Sequence, residues 1–368
     1  MNKSRLKQQG AMLITASFLL LFLIGLTAVV VDVGHLMAAR TALQNAADAA
    51  ALAGANCLTR SSAPSGLDCS STPSAALNWS MANTKAQQAV GLNAVDGMAL
   101  VDAIVTTGYK NLTGTPAGLQ AMNLSPIGPY DKPAVMVQLS KAAGSNGGPL
   151  QMLMTSMFGT KAWSLTATAV AVISSPGKVP PNRILPQVIN RCMFDLYWDS
   201  ASNAPRLATS NLLNGVPQVV GQPWVFRIGS SYHYPNCDSG QWSLVGSSDS
   251  NSVTGISNQI SSGNATALSI GDLVVIEPGT KTALYNNLSA QYPTPPGADV
   301  TLAVVNQPNN LDQAGSTPVV GFAGFHIADI KGGNDKYIQG NFIQGGTTAG
   351  ASGIGAYFGT YTPPRLAQ

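Results

Sequence analysis

An uncharged apolar run dominates the N-terminal pattern of the chain. It covers 21 residues, Ala11 to Val31, and consists mainly of Leu, Ile, Val and Phe. A helix of this length rises about 31 Å, which matches the hydrocarbon thickness of a bilayer. The hydroxyls of Thr15, Ser17 and Thr27 can bond to backbone carbonyls within such a helix. The run therefore predicts one transmembrane helix at residues 11–31, and the sequence contains no second run of this kind.

The pattern of apolar residues becomes amphipathic directly after this run. Apolar residues recur there at helical spacing, in a narrow stripe that includes Leu36, Leu43 and Ala50. Alanine, the best helix former, is abundant, and Gly54 is the type of residue that commonly ends a helix. We expect one continuous helix over residues 11–53. Its outer half would pack the stripe on a small domain or on a second copy of the helix.

The next part of the chain mixes helical and strand patterns. Periodicities of 3.6 and 2 residues distinguish the two, and Gly, Pro and Asn mark the turns between them. The predicted elements are a helix at 75–94, strands at 99–110 and 133–142, a short helix at 150–158 and a strand at 163–173.

A proline-rich segment, residues 174–187, marks the clearest boundary, because its prolines oppose regular backbone structure. The runs beyond it predict strands at 192–198, 224–229, 241–246, 272–279, 298–306, 317–330 and 336–345, with a hairpin turn at 331–335. The predicted fold class is α+β. A long N-terminal helix carries an α+β head at 32–175, and a linker at 176–187 leads to a mostly β domain at 188–368.

Charges on either side of the apolar run predict its direction. Lys3, Arg5 and Lys7 precede it, whereas Asp32 follows it. By the positive-inside rule, residues 1–10 stay in the cytoplasm and the chain beyond the run is exported. The alternative is a signal peptide that is cleaved near Ala38. The apolar region of a signal peptide is typically only about 7 to 15 residues long, which favours a retained anchor.

Composition argues against several classes of function. Charged residues make up 10% of the chain, against about 25% in an ordinary soluble domain. Glu277 is the only glutamate, which excludes catalysis by paired glutamates, and the net charge of +3 is too diffuse to predict nucleic-acid binding. His35, His233 and His326 lack the short spacings of metal sites, and no nucleophile elbow or phosphate loop occurs. We therefore expect no enzymatic activity, metal or cofactor.

All four cysteines lie beyond the apolar run. An even number of cysteines in an oxidising compartment indicates disulfides. Of the three connectivities, we favour Cys57 with Cys69, which closes a short loop, and Cys192 with Cys237. Free buried thiols are the alternative.

The N-terminal residues carry a specific resemblance. After the basic start come a glycine, the apolar helix, an Asp-x-Gly step at Asp32 to Gly34, and the run LQNAADAAALAGA at 43–55. This series resembles the N-terminal module of the TadE/TadG-like proteins of bacterial tight-adherence (Tad, or Flp) pilus assembly systems. Residues 135–173 are similar to the strand, short helix ending in Phe158–Gly159, and Ala-rich strand that complete such modules. The resemblance implies one pilin-like, periplasmic unit that extends to residue 175.

The resemblance also suggests where the chain could be processed. Prepilins are cut after a glycine and usually carry Glu at the fifth mature position. Gly10 and Ala11 form the candidate processing site here, and Thr15 occupies the fifth position. Some larger members carry a von Willebrand A domain with an Asp-x-Ser-x-Ser motif. The present chain lacks that motif and is most similar to TadG-like proteins without the domain.

The resemblance implies a structural and assembly function. The chain would be a minor-pilin-like or pseudopilin-like component of a Tad-type pilus or secretion system, in the inner membrane with its C-terminal region periplasmic or surface-exposed. Expected partners are the inner membrane, other Tad components and a second copy through the N-terminal helix. Nucleic acid is not among them. The candidate helix-packing or partner residues are Asp32, Gly34, Leu36, Leu43 and Ala50.

The sequence allows an alternative function and two interpretations of Asp32. The alternative function is a surface adhesin, whose β-rich domain binds a glycan or protein while the N-terminal unit anchors it. Asp32 also has two interpretations. It is either the polar residue that ends a membrane span, or a carboxylate that pairs with a base on a partner subunit.

Overall fold

The structure is a computed structural model of the 368-residue chain. It describes residues 3–60, 69, 77–152, 154, 159, 161–200, 202–235, 237–245, 253–307, 311–344, 346–348, 350–353 and 355–367, with the backbone alone for residues 3–11, 347 and 352. Phe158, which the resemblance places at the end of a short helix, and most of the helix predicted at 150–158 lie outside the described residues.

The N-terminal region is one helix, α1, which spans Lys3–Asn56. It extends past both ends of the helix predicted from the sequence, and Gly54 lies within it rather than after it. The reason is close packing, because a Cβ added to Gly54 would lie 2.7 Å from the Ala82 carbonyl oxygen and 3.0 Å from Val135 Cγ1. Gly54 therefore allows a close approach between elements instead of ending the helix.

A second helix, α2, spans Trp79–Val90 within the predicted segment. The Asn78 side chain caps its first turn by accepting a hydrogen bond from Met81 N at 3.1 Å. Its buried alanines, Ala82, Ala86 and Ala89, face α1. Because these side chains are small, the axes of the two helices can approach closely.

Five antiparallel strands form the first sheet. Four of them are β1 (Ala103–Asn111), β2 (Leu119–Gln120), β3 (Asp131–Lys141) and β4 (Leu165–Val172). The fifth is the C-terminal strand Arg365–Leu366, which pairs with β4, so that the order is C-terminal strand, β4, β3, β1, β2. The chain therefore returns to its first sheet at its end.

The outer half of α1 and α2 cover one face of this sheet. The shared core contains the buried faces of both helices and the inward residues of β3 and β4, including Leu43, Val137 and Leu139. Tyr361, from the C-terminal region, is also part of this core. The predicted α+β head is thus confirmed, but its core is completed by residues from the far end of the chain.

The second region contains a larger mixed sheet. Its strands are β5 (Gln187–Asn190), β6 (Phe226–Ile228), β7 (Gly240–Leu244), β8 (Leu273–Glu277), β9 (Ala298–Val305), β10 (Gly315–Lys331) and β11 (Tyr337–Phe342). β10 pairs with β8 near its start, with β9 along its middle and with β11 near its end. Since β8, β7, β5 and β9 are also paired in that order, these four strands and β10 form a closed ring.

Close contacts inside the second region require glycine in the long strand β10. A Cβ added to Gly321 would overlap the Phe358 ring. Phe358 in turn packs edge-on against Phe194, with ring centroids 4.8 Å apart, and Phe342 lies 4.6 Å from Phe194. These rings belong to the main core of the second region. The predicted hairpin turn at 331–335 is confirmed by the pairing of Lys331 with Tyr337.

The sequence prediction missed three helices in this region: α3 (Arg191–Tyr197), α4 (Val253–Ser262) and α5 (Thr282–Gln291). The strand predicted at 192–198 is wrong, because α3 occupies most of that segment. Its buried residues, Met193, Phe194 and Tyr197, lie on one helical face. A short apolar run of this kind fits either a strand or a helix by pattern alone.

The proline-rich segment is also more regular than predicted. Pro176–Val179 forms a strand that pairs with Leu268–Ser269 and Ala351–Ser352, and β5 begins at Gln187. Prolines are tolerated there because they fall at strand ends or between strands. The remaining two-residue pairs are Ala94–Val95 with Met98–Ala99, Leu150–Gln151 with Ala162–Trp163, Trp198–Asp199 with Ala204–Pro205, Leu212–Leu213 with Val216–Pro217, His233–Tyr234 with Cys237–Asp238, and Gly346–Thr347 with Thr360–Tyr361.

Candidate functional site

The first half of α1 exposes apolar side chains on every side. Between Met12 and Val31, the large apolar residues are 41% to 74% exposed. A helix that belongs to a water-soluble core buries one face, whereas a helix that is apolar all round needs an apolar environment. Among the described residues, α1 is the one helix long and apolar enough to cross a membrane.

Hydroxyl groups within this segment bond to the helix backbone. Ser17 Oγ donates to the Leu13 carbonyl and Thr27 Oγ1 donates to the Leu23 carbonyl, both at 2.8 Å. These bonds confirm the expectation for Ser17 and Thr27. They reduce the cost of placing the two hydroxyls in hydrocarbon.

The apolar segment meets the head at Asp32, which is only 3% exposed. Met154 N lies 3.1 Å from both carboxylate oxygens of Asp32 and donates to them. One turn later, His35 Nε2 lies 3.0 Å from Asp96 Oδ1. Two loops of the head are therefore fastened to the first turns of α1 beyond the apolar segment. Asp32 binds backbone of its own chain, and its pairing with a partner subunit stays a prediction.

The predicted packing stripe faces the protein's own head. Leu43 and Ala50 are fully buried among α2 and the first sheet, and Leu36 packs partly buried against the same core. Both side chains are covered by the head of their own chain, which agrees with packing of the stripe on a small domain, and contact of the stripe with another subunit stays a prediction. Gly34 is different, since a Cβ added there would meet nothing within 4 Å.

The candidate processing site lies inside α1. Residues 10 and 11 belong to the helical backbone that runs without interruption into the apolar segment. A cut between Gly10 and Ala11 would leave the apolar segment and the whole head intact. Whether this cut occurs stays a prediction.

Two disulfides are present, Cys57–Cys69 and Cys192–Cys237, with Cα–Cα distances of 5.4 Å and 5.8 Å. This is the connectivity favoured from the sequence. Cys57 immediately follows α1, whereas Cys192 lies in α3 of the second region. Disulfides are typical of compartments outside the cytoplasm.

Each histidine lies beside an aspartate. His233 Nδ1 is 2.8 Å from Asp238, and His326 Nδ1 is 2.7 Å from Asp299, whose hydrogen bond raises the pKa of His326. Within the part of the chain that the structure describes, His, Cys, Asp and Glu form no group of three that could hold a metal ion.

A cleft of about 330 Å³ lies where the first sheet meets the C-terminal region, and it contains a buried lysine that the sequence did not single out. Lys132 is only 5% exposed. Burial lowers the pKa of Lys132 to about 8, and the neighbouring Asp131 carboxylate opposes this shift. The rings of Tyr357 and Tyr361 stack 4.2 Å apart in the same cleft.

The register explains why Lys132 was missed. Lys132 of β3 pairs with Lys110 of β1, so two lysines lie side by side at the end of the first sheet. Asp131 already accepts hydrogen bonds from Asn111 Nδ2 at 2.8 Å, Gln120 Nε2 at 2.6 Å and Gly128 N at 2.9 Å. Residues from the far end of the chain then cover Lys132. Only tertiary structure brings these groups together.

The second region contains a polar cleft of about 450 Å³. It lies at the C-terminal ends of α4 and α5, and Arg183, Gln259, Gln291 and Asp299 contribute to its lining. Side chains of these types can donate to and accept from the hydroxyls of a polar ligand.

The decisive comparison concerns α1. The family model for Flp pilus-assembly TadE/G-like proteins, Tad, matches residues 10–56. Residues 10–56 form a TadE/G-like domain. The match begins at the candidate processing glycine and ends with the last residue of α1. It thus covers the apolar segment, the Asp32–Gly34 step and the buried alanine-rich half.

The TadE/G-like match stops at Asn56, so the extension of the Tad-like unit to residue 175 stays a prediction. No curated protein and no solved structure matches this chain.

Proposed function

We propose that this protein is a membrane-anchored structural component of a Tad-type pilus or secretion system, minor-pilin-like or pseudopilin-like in architecture. The observation that carries the proposal is the division of α1. Its first half is apolar on all sides and exposed, while its second half is built into the core of the head. The TadE/G-like match over the same helix supports a role in a Tad-type system.

The proposed mechanism is mechanical. The apolar half of α1 holds the protein in the inner membrane at the assembly platform. The continuous helix α1 fixes the position of the head relative to the membrane. The Asp32 and His35 contacts reinforce this connection. The second region then contacts other components at a distance from the bilayer.

The direction of insertion follows from charge and redox chemistry. The basic residues before the apolar segment favour a cytoplasmic N-terminus. Both disulfides lie beyond the segment, which supports an oxidising periplasmic or surface location for the rest of the chain.

The polar cleft of the second region supports a second candidate function, an anchored adhesin that binds a glycan or protein. Truncation after β4 would not separate the two functions. It would remove Tyr361 from the first core and the C-terminal strand from the edge of β4, and so damage the anchor unit itself. Point variants in the cleft avoid this problem.

The test uses a deletion strain grown under pilus-producing conditions. Deletion is expected to reduce pilus number and adherence together, and the wild-type gene should restore both. A variant with Arg183→Ala and Gln291→Ala should restore both as well if the function is assembly. Normal pili with lost adherence in that variant would favour the adhesin, and a deletion strain with unchanged pili would refute the assembly role.

A further inference from the structure

The strand directions identify which end of the head lies next to the apolar segment. Gln44 Nε2 donates to the Thr168 carbonyl at 3.2 Å, and Gly54 lies beside Val135, the Cα partner of Ala171. Moving along α1 away from the apolar segment therefore means moving from the start of β4 toward its end. The start of β4, Leu165, belongs to the end of the head nearest the apolar segment.

The remaining elements agree with this assignment. Leu165 pairs with Lys141 at the end of β3, and Leu139 pairs with Ala103 at the start of β1. The loops before β1 and between β3 and β4 therefore lie at this same end. The contacts of Met154 with Asp32 and of Asp96 with His35 fasten both loops there. We call the exposed large apolar side chains that the structure describes at this end the proximal surface: Leu92, Met98, Val101, Ile104, Met154 and Trp163.

The large apolar side chains that the head exposes are concentrated in the proximal surface. Eight large apolar residues between 77 and 175 are exposed among the described residues, and only Met122 and Tyr130 lie elsewhere. Of the six in the proximal surface, Met98, Met154 and Trp163 are 50%, 46% and 53% exposed. The other three are Leu92, Val101 and Ile104.

We propose that the proximal surface rests in the headgroup layer of the bilayer, with Met98, Met154 and Trp163 inserted among phospholipids. The inference rests on the proposed anchoring by α1. The occupant follows from continuity, because the surface adjoins the helix segment that is apolar on every side and is tied to the turns of α1 directly beyond that segment. Tryptophan favours the membrane interface, since its ring has an apolar body and a polar N–H.

The polar groups near this surface fit the same environment. Lys161 is exposed two residues before Trp163, where its ammonium can reach anionic headgroups. Asp96 is already paired with His35, and the exposed Asp102 carboxylate accepts a hydrogen bond from Asn146 N at 3.4 Å. Seating the head on the bilayer would restrict the tilt of the head, which a single helix alone would leave free.

The test is tryptophan quenching in the full-length chain, reconstituted in phosphatidylcholine vesicles with and without lipids brominated near the headgroup. Since Trp163 is one of five tryptophans, brominated lipid is expected to remove up to about one fifth of the emission. Trp163→Phe should abolish this loss. Trp242→Phe is the matched control, because Trp242 is fully buried, and it should preserve the loss.

Vesicle flotation distinguishes a failure of the membrane anchor from a failure of the inference about the proximal surface. A chain that floats but loses no emission through Trp163 would overturn the inference and leave the anchor intact. A change in Trp163 emission that appears only at high protein-to-lipid ratio, and equally without brominated lipid, would likewise overturn it, in favour of contact with a second copy. A chain that fails to float would overturn both the anchor and the inference.

Discussion

Paired arginines in the apolar half of α1, Leu20→Arg with Ile24→Arg, are expected to prevent stable membrane integration. The two positions are 59% and 54% exposed and lie one turn apart on the same helical face. Each exchange of Leu or Ile for Arg at mid-helix costs about 3 to 4 kcal/mol on the insertion scale, so the pair costs about 6 to 8 kcal/mol. The measurement is the fraction of protein that stays in the membrane pellet after alkaline carbonate extraction.

The matched control places the same two charges beyond Asp32. Met37 and Thr41 are also exposed and one turn apart on α1, but they lie alongside the head. The Met37→Arg, Thr41→Arg variant should remain in the pellet like the wild type. Equal retention of the Leu20, Ile24 variant would contradict a membrane function for this half of the helix.

Lys132 is expected to make the protein more stable at alkaline pH than at neutral pH. Its pKa is lowered from 10.5 to about 8 in the folded state, so the unfolded chain binds the proton more tightly between these values. Stability therefore rises as pH increases through this window. The contribution of Lys132 to the free energy of unfolding rises by about 2 kcal/mol between pH 7 and pH 9.5, and it is measured as the difference between the wild type and a variant without this lysine.

Urea unfolding followed by circular dichroism, in detergent at pH 7, 8.5 and 9.5, measures this gain. Lys132→Met should abolish it, because a methionine fills similar space without a charge to bury. Lys110→Met is the control, since Lys110 lies beside Lys132 in the register but is only partly buried, and it should retain the gain. A Lys132→Met variant with the same pH dependence as the wild type would refute the burial argument.

The N-terminal elements of the fold were predictable because their signals are local. The apolar run, the unbroken helical spacing after it and the short loop between Cys57 and Cys69 each lie within a few tens of residues. Each of these patterns predicts its structure without knowledge of distant contacts. The exception is Gly54, which was assigned as a helix end because the sequence could not show α2 packing against it.

The helices of the second region show a different limit. In α5, the buried residues Leu284, Tyr285 and Leu288 have a helical spacing that could have been recognised. In α3, the run Met193 to Tyr197 satisfies both a strand and a helix pattern. The core around Phe194 decides in favour of a helix, and the members of that core come from distant parts of the chain.

The features with most bearing on function arise from long-range pairing. The return of Arg365–Leu366 to β4 and the covering of Lys132 join the two ends of the chain beyond the apolar segment. The proximal surface likewise depends on strand direction and on two contacts with α1. Local periodicity contains no information about such arrangements.

The most direct test of the account is the labelling of single added cysteines with a membrane-impermeant maleimide in intact spheroplasts. Ser80→Cys, at an exposed position in α2, reports on the head, and Ser4→Cys reports on the segment before the apolar run. We expect the first variant to be labelled in intact spheroplasts and the second to be labelled only after lysis. Labelling of Ser4→Cys from outside, or protection of Ser80→Cys until lysis, would contradict a head exported on a single membrane-spanning helix.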